Sequence, residues 1–140
     1  MMTTSPTVRH AVLADAGPLF AASDDRDQYH ERARRDLDWL MDERRSIVLL
    51  YPSLWECSTL VSRHHHPRAA QSWLAELRET VILLKPAPED YESTLRHVAR
   101  YRDQPITIFD ALLAVMSDRF ALPVWTFDLH FDVMGVSVRR

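Results

Sequence analysis

Short apolar runs alternate with longer stretches of helical periodicity throughout this chain, and that alternation leaves few folds open. Residues 10–14, 46–51, 81–84, 124–126 and 136–138 read as strands. Helical spacing begins at Gln28, with Tyr29, Ala33, Leu37, Leu40 and Met41 on one face. Pro52-Ser53 opens a second helix carrying Leu54, Cys57, Leu60 and Val61, which the run Arg63-His64-His65-His66-Pro67 interrupts. A third places Ala70, Trp73, Leu74 and Leu77 inward, and a fourth runs from Pro88 to about Tyr101. The clearest starts at Thr107, with Ile108, Ala111, Leu112, Val115 and Met116 at amphipathic spacing. Asp15-Ala16-Gly17-Pro18 reads as a turn, residues 19–22 as the start of a short helix and residues 23–27 as a polar loop. Strands alternating with helices imply an α/β fold with a mainly parallel sheet and helices packed on its faces.

A length of 140 residues suits one domain, 1–140, with room for a substantial core. The 46% hydrophobic and 26% charged residues are ordinary for a soluble protein, so order is expected except at the first few residues. Cys57 is the only cysteine, which excludes an internal disulfide framework and fits a reducing, cytoplasmic setting. Residues 1–10 lack the apolar centre of a signal peptide, and no apolar run has the length to span a bilayer, so no membrane association is expected. The formal net charge of -3 excludes attraction to nucleic acid by phosphate neutralisation alone. A chain of this charge that handles RNA needs its acids screened, and a divalent metal does so.

In parallel α/β sheets ligands sit beyond the carboxyl ends of the strands. Asp15 and Asp128 each stand just after an expected strand, and Glu56 and Asp110 each in the first turn of an expected helix. All four can face one edge of the sheet. Acids scattered in sequence but converging in space are what a magnesium site needs, because Mg2+ takes hard oxygen ligands. Simpler readings stand beside this one. Ser53-Leu54-Trp55-Glu56 has capping-box spacing and Thr107-Ile108-Phe109-Asp110 its aspartate variant, and spacing alone favours capping at both. Asp15 and Asp128 can each serve a turn. A helix-start acid can cap, bind metal, or do both.

The ordered set of segments resembles the PIN-domain family, especially the VapC-type toxins of bacterial toxin–antitoxin pairs. Val12-Leu13-Ala14-Asp15-Ala16-Gly17-Pro18-Leu19 resembles its opening strand and first acid, and Asp27-Gln28-Tyr29-His30-Glu31-Arg32-Ala33 the start of its next helix. Pro52-Ser53-Leu54-Trp55-Glu56 resembles the stretch with the second acid, and residues 103–112 the stretch with the third. Val124-Trp125-Thr126-Phe127-Asp128-Leu129-His130-Phe131 resembles the last, with its Thr-Xaa-Asp and following Phe. The resemblance spans nearly the whole chain; residues 63–85 carry none of it. It implies a three-layer α/β/α PIN-like fold and a single nuclease domain cutting single-stranded RNA. It also implies Mg2+, with Mn2+ able to substitute, at Asp15, Glu56, Asp110 and Asp128. Thr126 would help orient a water on that ion and Asp132 would stand just outside the ligands. A homodimer and a cognate antitoxin protein that covers the site are implied as well.

Other features point elsewhere. His64-His65-His66 lacks the spacing of a closed zinc site and reads as an exposed basic corner, able with Arg63 and Arg68 to touch RNA phosphates. Arg34-Arg35 and Arg44-Arg45 read as a solvated helix face. The four tryptophans read as core or interface, with Trp55 and Trp125, beside the acids, the exceptions as base-stacking candidates. Cys57 reads as a buried thiol and not a nucleophile. The alternative function is a non-catalytic PIN-like module that binds RNA or a partner, against which stand all four acids. A haloacid-type phosphatase needs a second acid where Gly17 stands, and a receiver domain needs a late lysine, whereas Lys85 is the only lysine. No Walker A motif is present.

Overall fold

A computed structural model of the protein describes residues 10–140, so both expectations about the opening residues fall outside the described part. Its strands are β1 (Ala11–Ala14), β2 (Ser46–Leu50), β3 (Ile82–Leu84), β4 (Val124–Trp125) and β5 (Val138–Arg139). Its helices are α1 (Ala16–Ser23), α2 (His30–Asp42), α3 (Tyr51–His64), α4 (Pro67–Thr80), α5 (Pro88–Arg100), α6 (Ile108–Phe120) and the single turn α7 (His130–Val133). The strands form one sheet in the order β3-β2-β1-β4-β5, and every neighbouring pair is parallel. Leu13 lies opposite both Val48 and Val124, which fixes the register at the centre.

The period of two along each strand divides the core into layers. Ala11, Leu13, Val48, Leu50 and Val124 pack with Leu112, Leu113 and Met116 of α6 and Phe131 of α7. Val12, Ala14, Leu49 and Trp125 face the other way, against Leu19, Leu40, Cys57 and Leu77 of α1 to α4. Both faces are covered, which makes the fold three-layered and explains why the strands read as unbroken apolar runs. Each buried leucine contributes about 1.5–3 kcal/mol by leaving water. No helix among the described residues is long and apolar enough to cross a membrane.

Several local expectations are corrected. Ala16-Gly17-Pro18 is not a turn but the first turn of α1, begun by Asp15 as N-cap. Proline fits there because the first helical N–H groups have no intrahelical partner. Tyr29 and Met41, expected inward, are exposed, while Asp36 is buried on the inward face of α2. Its Oδ2 accepts a hydrogen bond from Trp125 Nε1 at 2.9 Å, which satisfies the one polar atom of that ring. Ile108 is also exposed, and Leu113 and Ala114 are buried in its place, because α6 lies across the middle of its layer. Arg44 and Arg45 follow α2 in a turn, and Arg45 covers the Trp39 ring at 5.3 Å.

One feature of the topology positions everything that follows. From β1 the chain builds outward through β2 and β3 on one side, then returns to add β4 and β5 on the other. Crossovers leaving in opposite directions open a crevice at the carboxyl ends of β1 and β4. Asp15 and Thr126 are the residues that follow those two strands.

Candidate metal centre

Asp15 is held twice. Its Oδ1 accepts the Ala16 N–H at 2.8 Å, and its Oδ2 accepts the Thr126 hydroxyl at 2.8 Å. Thr126 is fully buried, and its oxygen accepts the Asp128 N–H at 3.0 Å. The Thr-Xaa-Asp spacing therefore works as a clamp, locking the acid after β1 to the acid after β4. Asp128 Oδ1 in turn accepts the His130 N–H at 2.9 Å.

Glu56 and Asp110 resolve the capping question in opposite ways. Around Asp110 the capping box forms, with Asp110 N–H donating to Thr107 Oγ1 at 3.2 Å and Thr107 N–H to Asp110 Oδ2 at 3.1 Å. The same carboxylate stands in a group with Asp128 and His130 whose donor atoms all lie within 4.8 Å of one another. It caps and faces the cluster at once. Around Glu56 no box forms, because α3 begins at Tyr51 with Leu50 as its N-cap, so Glu56 stands in the second turn. Its Oε2 is buried without a hydrogen-bond partner. A buried polar atom left unsatisfied costs about 1–3 kcal/mol, so something other than helix capping accounts for an acid there.

Asp15 and Glu56 feel the charges around them. Burial, then the charges of Asp110 and Asp128, push Asp15 up to about 6 against the hydrogen bonds it accepts from Thr126 and Ala16. Burial, then the charges of Asp15 and Asp110, push Glu56 up to about 7 with no hydrogen bond opposing. Asp15 and Glu56 are not within the 4.8 Å group, but they are near enough for its charge to act on them. Like charges gathered among buried residues, with one oxygen unpaired, are an arrangement that a cation would stabilise. The donor set, oxygens with one imidazole, fits a divalent metal.

No family model and no curated protein sequence matches the chain. Solved structures do. VapC20 of Mycobacterium tuberculosis, a Sarcin-Ricin loop cleaving toxin, superposes with a TM-score of 0.80 at 20% identity, over 92% of this chain and 98% of that one. VapBC2 from Rickettsia felis, bound to a DNA fragment from its promoter, gives 0.71 at 14% identity over 91% and 96%. FitAcB from Neisseria gonorrhoeae gives 0.63 at 20% identity over 92% and 96%. This chain has the PIN-domain fold of VapC-type toxins.

Within that PIN fold the remaining sequence candidates find distinct places. Asp132 is exposed and ion-paired with Arg140, whose Nη2 also donates to the Asp128 carbonyl at 3.1 Å. It is linked to Asp128 through that arginine. The three consecutive histidines splay: His64 packs on Phe20, His65 Nε2 lies 3.5 Å from Asp24, and His66 caps α4 by accepting the Arg68 N–H. The Cys57 thiol is buried and pushed well up by burial, then by Glu56 and Asp15, which favours the neutral thiol. Sequence reasoning passed over His130, whose Nδ1 lies 3.1 Å from Asp128 Oδ1 and 3.5 Å from Asp110 Oδ2. Its position two residues after Asp128 was the available signal.

Proposed function

We propose that this chain is a divalent-metal-dependent endoribonuclease, a single PIN domain acting as the toxin of a type II toxin–antitoxin pair. The observation that carries the reading is Glu56: a buried carboxylate with an unpartnered oxygen, pushed up to about 7 beside Asp15 and Asp110. No helix cap explains it, and a bound cation does. Asp15, Glu56, Asp110 and Asp128 would hold the ion, Mg2+ or Mn2+, at the carboxyl ends of β1 and β4. A divalent ion there offsets the charge that builds on a phosphodiester under attack and makes water a better nucleophile.

The chain's own residues supply position. Thr126 fixes Asp15 against Asp128, so the acids that follow two neighbouring strands keep one spacing. Thr107 and the start of α6 hold Asp110 at the same edge. The Asp132–Arg140 pair holds the Asp128 backbone from outside. Preorganised ligands of this kind are what a hydrolytic site requires.

The reading includes a cognate antitoxin that covers the acids and a homodimer as the working form, in a cytoplasmic setting. Among the structures of the same fold are a toxin-antitoxin complex from Klebsiella pneumoniae and VapBC2 bound to a DNA fragment from its promoter, which is what supports a partner. The direct test is cleavage of single-stranded RNA by the purified chain with Mg2+ or Mn2+, and its arrest by EDTA. Full activity in chelator, with no metal by elemental analysis, sinks the reading.

A further inference from the structure

We infer that His130 is a metal ligand and that it turns this centre into a mixed oxygen–nitrogen site taking Mn2+ ahead of Mg2+. The inference rests on the acid site proposed above and adds a residue that the four-acid pattern does not contain.

The ring nitrogen Nδ1 of His130 is buried and makes no hydrogen bond, although two carboxylate oxygens stand close to it. Those two oxygens are already engaged. Asp128 Oδ1 accepts the His130 backbone N–H, and Asp110 Oδ2 accepts the Thr107 N–H. Neither makes a hydrogen bond with Nδ1, which leaves that nitrogen's lone pair open to a cation. Instead the three donor atoms converge, with Nδ1 at 3.1 Å and 3.5 Å from the oxygens and every separation within 4.8 Å. Adjacent ligands on a six-coordinate ion with bonds near 2.1 Å stand about 3 Å apart, so this spacing suits one shared cation.

The local fold makes the placement stable. His130 opens α7, and Phe131 next to it is fully buried in the core beneath α6. The backbone at 130 is thereby pinned, and the Asp128 carboxylate ties it again through the His130 N–H.

Nitrogen changes the choice of ion. Mg2+ prefers oxygen and gives up its waters reluctantly, whereas imidazole suits first-row transition ions. Mn2+ is the ion tested, since it accepts carboxylates as Mg2+ does and tolerates a nitrogen ligand.

The experiment uses the whole chain. Pulsed EPR of the Mn2+ complex is expected to show a nitrogen coupling that changes with 15N-histidine labelling. Calorimetry with Mn2+ and with Mg2+ is expected to give Mn2+ the tighter binding by about tenfold or more. In His130→Asn, which places an amide where Nδ1 was, the nitrogen coupling is expected to vanish. That variant's Mn2+ preference should fall about tenfold while its Mg2+ affinity stays within about threefold. Tight binding of both ions with no nitrogen coupling, or an unchanged preference in the variant, overturns the role of His130 and leaves the acid site standing. Binding of neither ion removes both proposals. If His130→Asn does not fold, the wild-type spectrum and the two wild-type affinities decide.

Discussion

The Thr126 hydroxyl donates to Asp15 Oδ2 at 2.8 Å, and through that bond the acid that ends β1 is fixed to the strand beside it. The same oxygen accepts the Asp128 N–H, so removing it unpairs two groups at once. Thr126→Val keeps the shape and is expected to cost about 1–3 kcal/mol. Because the lost bond lowers the Asp15 pKa, that pKa should rise above its value of about 6. Cleavage should fall by about 10–100-fold, the scale seen when partners behind metal ligands are lost, and Thr126→Ser should restore most of it. Denaturation curves, a carboxyl NMR titration and a cleavage assay check the three parts. A Thr126→Val enzyme with wild-type activity would make the clamp a packing feature only.

Glu56 predicts a pH-dependent stability difference. Its pKa is about 7 in the folded chain against an ordinary value of 4.5. Between those values the folded state holds more protons than the unfolded one, so this group's contribution falls as pH rises. Below about pH 4.5 both states are protonated and nothing is lost. Glu56→Gln, which cannot ionise, should therefore match wild type near pH 4.5 and gain on it through pH 7 in EDTA. The plateau gain is expected to be on the order of 1 kcal/mol, after solvent screening at a partly open site. Asp132, held low by its hydrogen bond from Arg140, acts in the opposite sense but only below its usual carboxylate range. Urea denaturation of both proteins from pH 4.5 to 8 tests this. A variant less stable than wild type at pH 8 would show Glu56 making a structural bond, and retained cleavage would remove it from the site.

Asp110 carries two roles that one substitution separates. Asn at this position can still accept the Thr107 N–H, so Asp110→Asn should stay within about 1 kcal/mol of wild type in EDTA. Ligand binding to the folded state alone adds about 2.7 kcal/mol at a hundred times Kd, so Mn2+ should raise the wild-type Tm clearly. In Asp110→Asn that rise should disappear. Melting curves with and without Mn2+ read both quantities. A large loss of stability with an undiminished metal shift would leave Asp110 a cap and nothing more.

What the sequence made legible follows from which signals are local. The strands at the centre of the sheet and their parallel pairing came through because β1, β4 and the end of β2 are buried and their apolar runs are continuous, while β3 and β5 at the edges are only partly buried. The capping spacing at Ser53–Glu56 misled, since Pro52 sits inside the helix and the N-cap falls at Leu50. Spacing reports only where a box is possible, while the N-cap is set by where β2 ends. Asp36 was invisible as a buried acid because its partner, Trp125, is distant in sequence and meets it only across the layer. His130 escaped for a related reason: α7 is a single turn with no periodicity to read, held by the buried Phe131 and by the Asp128 carboxylate.

Trp55 and Trp125 both adjoin acids in the sequence, and the structure separates them. Trp125 is fully buried in the sheet, with its Nε1 bonded to Asp36. Trp55 is 65% exposed on α3 beside Glu56, with Tyr51 at a ring-centroid distance of 6.2 Å. Trp125→Ala should cost about 3–5 kcal/mol and leave Asp36 buried without its partner. Trp55→Ala should change stability by no more than about 0.5 kcal/mol, since surface changes away from such features are small. An exposed aromatic next to an acid of the proposed nuclease site can stack an unpaired base, worth about 1–3 kcal/mol. Trp55→Ala should therefore weaken binding of single-stranded RNA by about tenfold or more, measured with the Glu56→Gln chain so that cleavage does not intervene. The effect should appear in KM more than in kcat, because stacking remote from the reacting phosphate acts on substrate and transition state alike. A Trp55→Ala chain that binds RNA as wild type does would remove Trp55 from the RNA path and leave its exposed ring without a role in the proposed reaction.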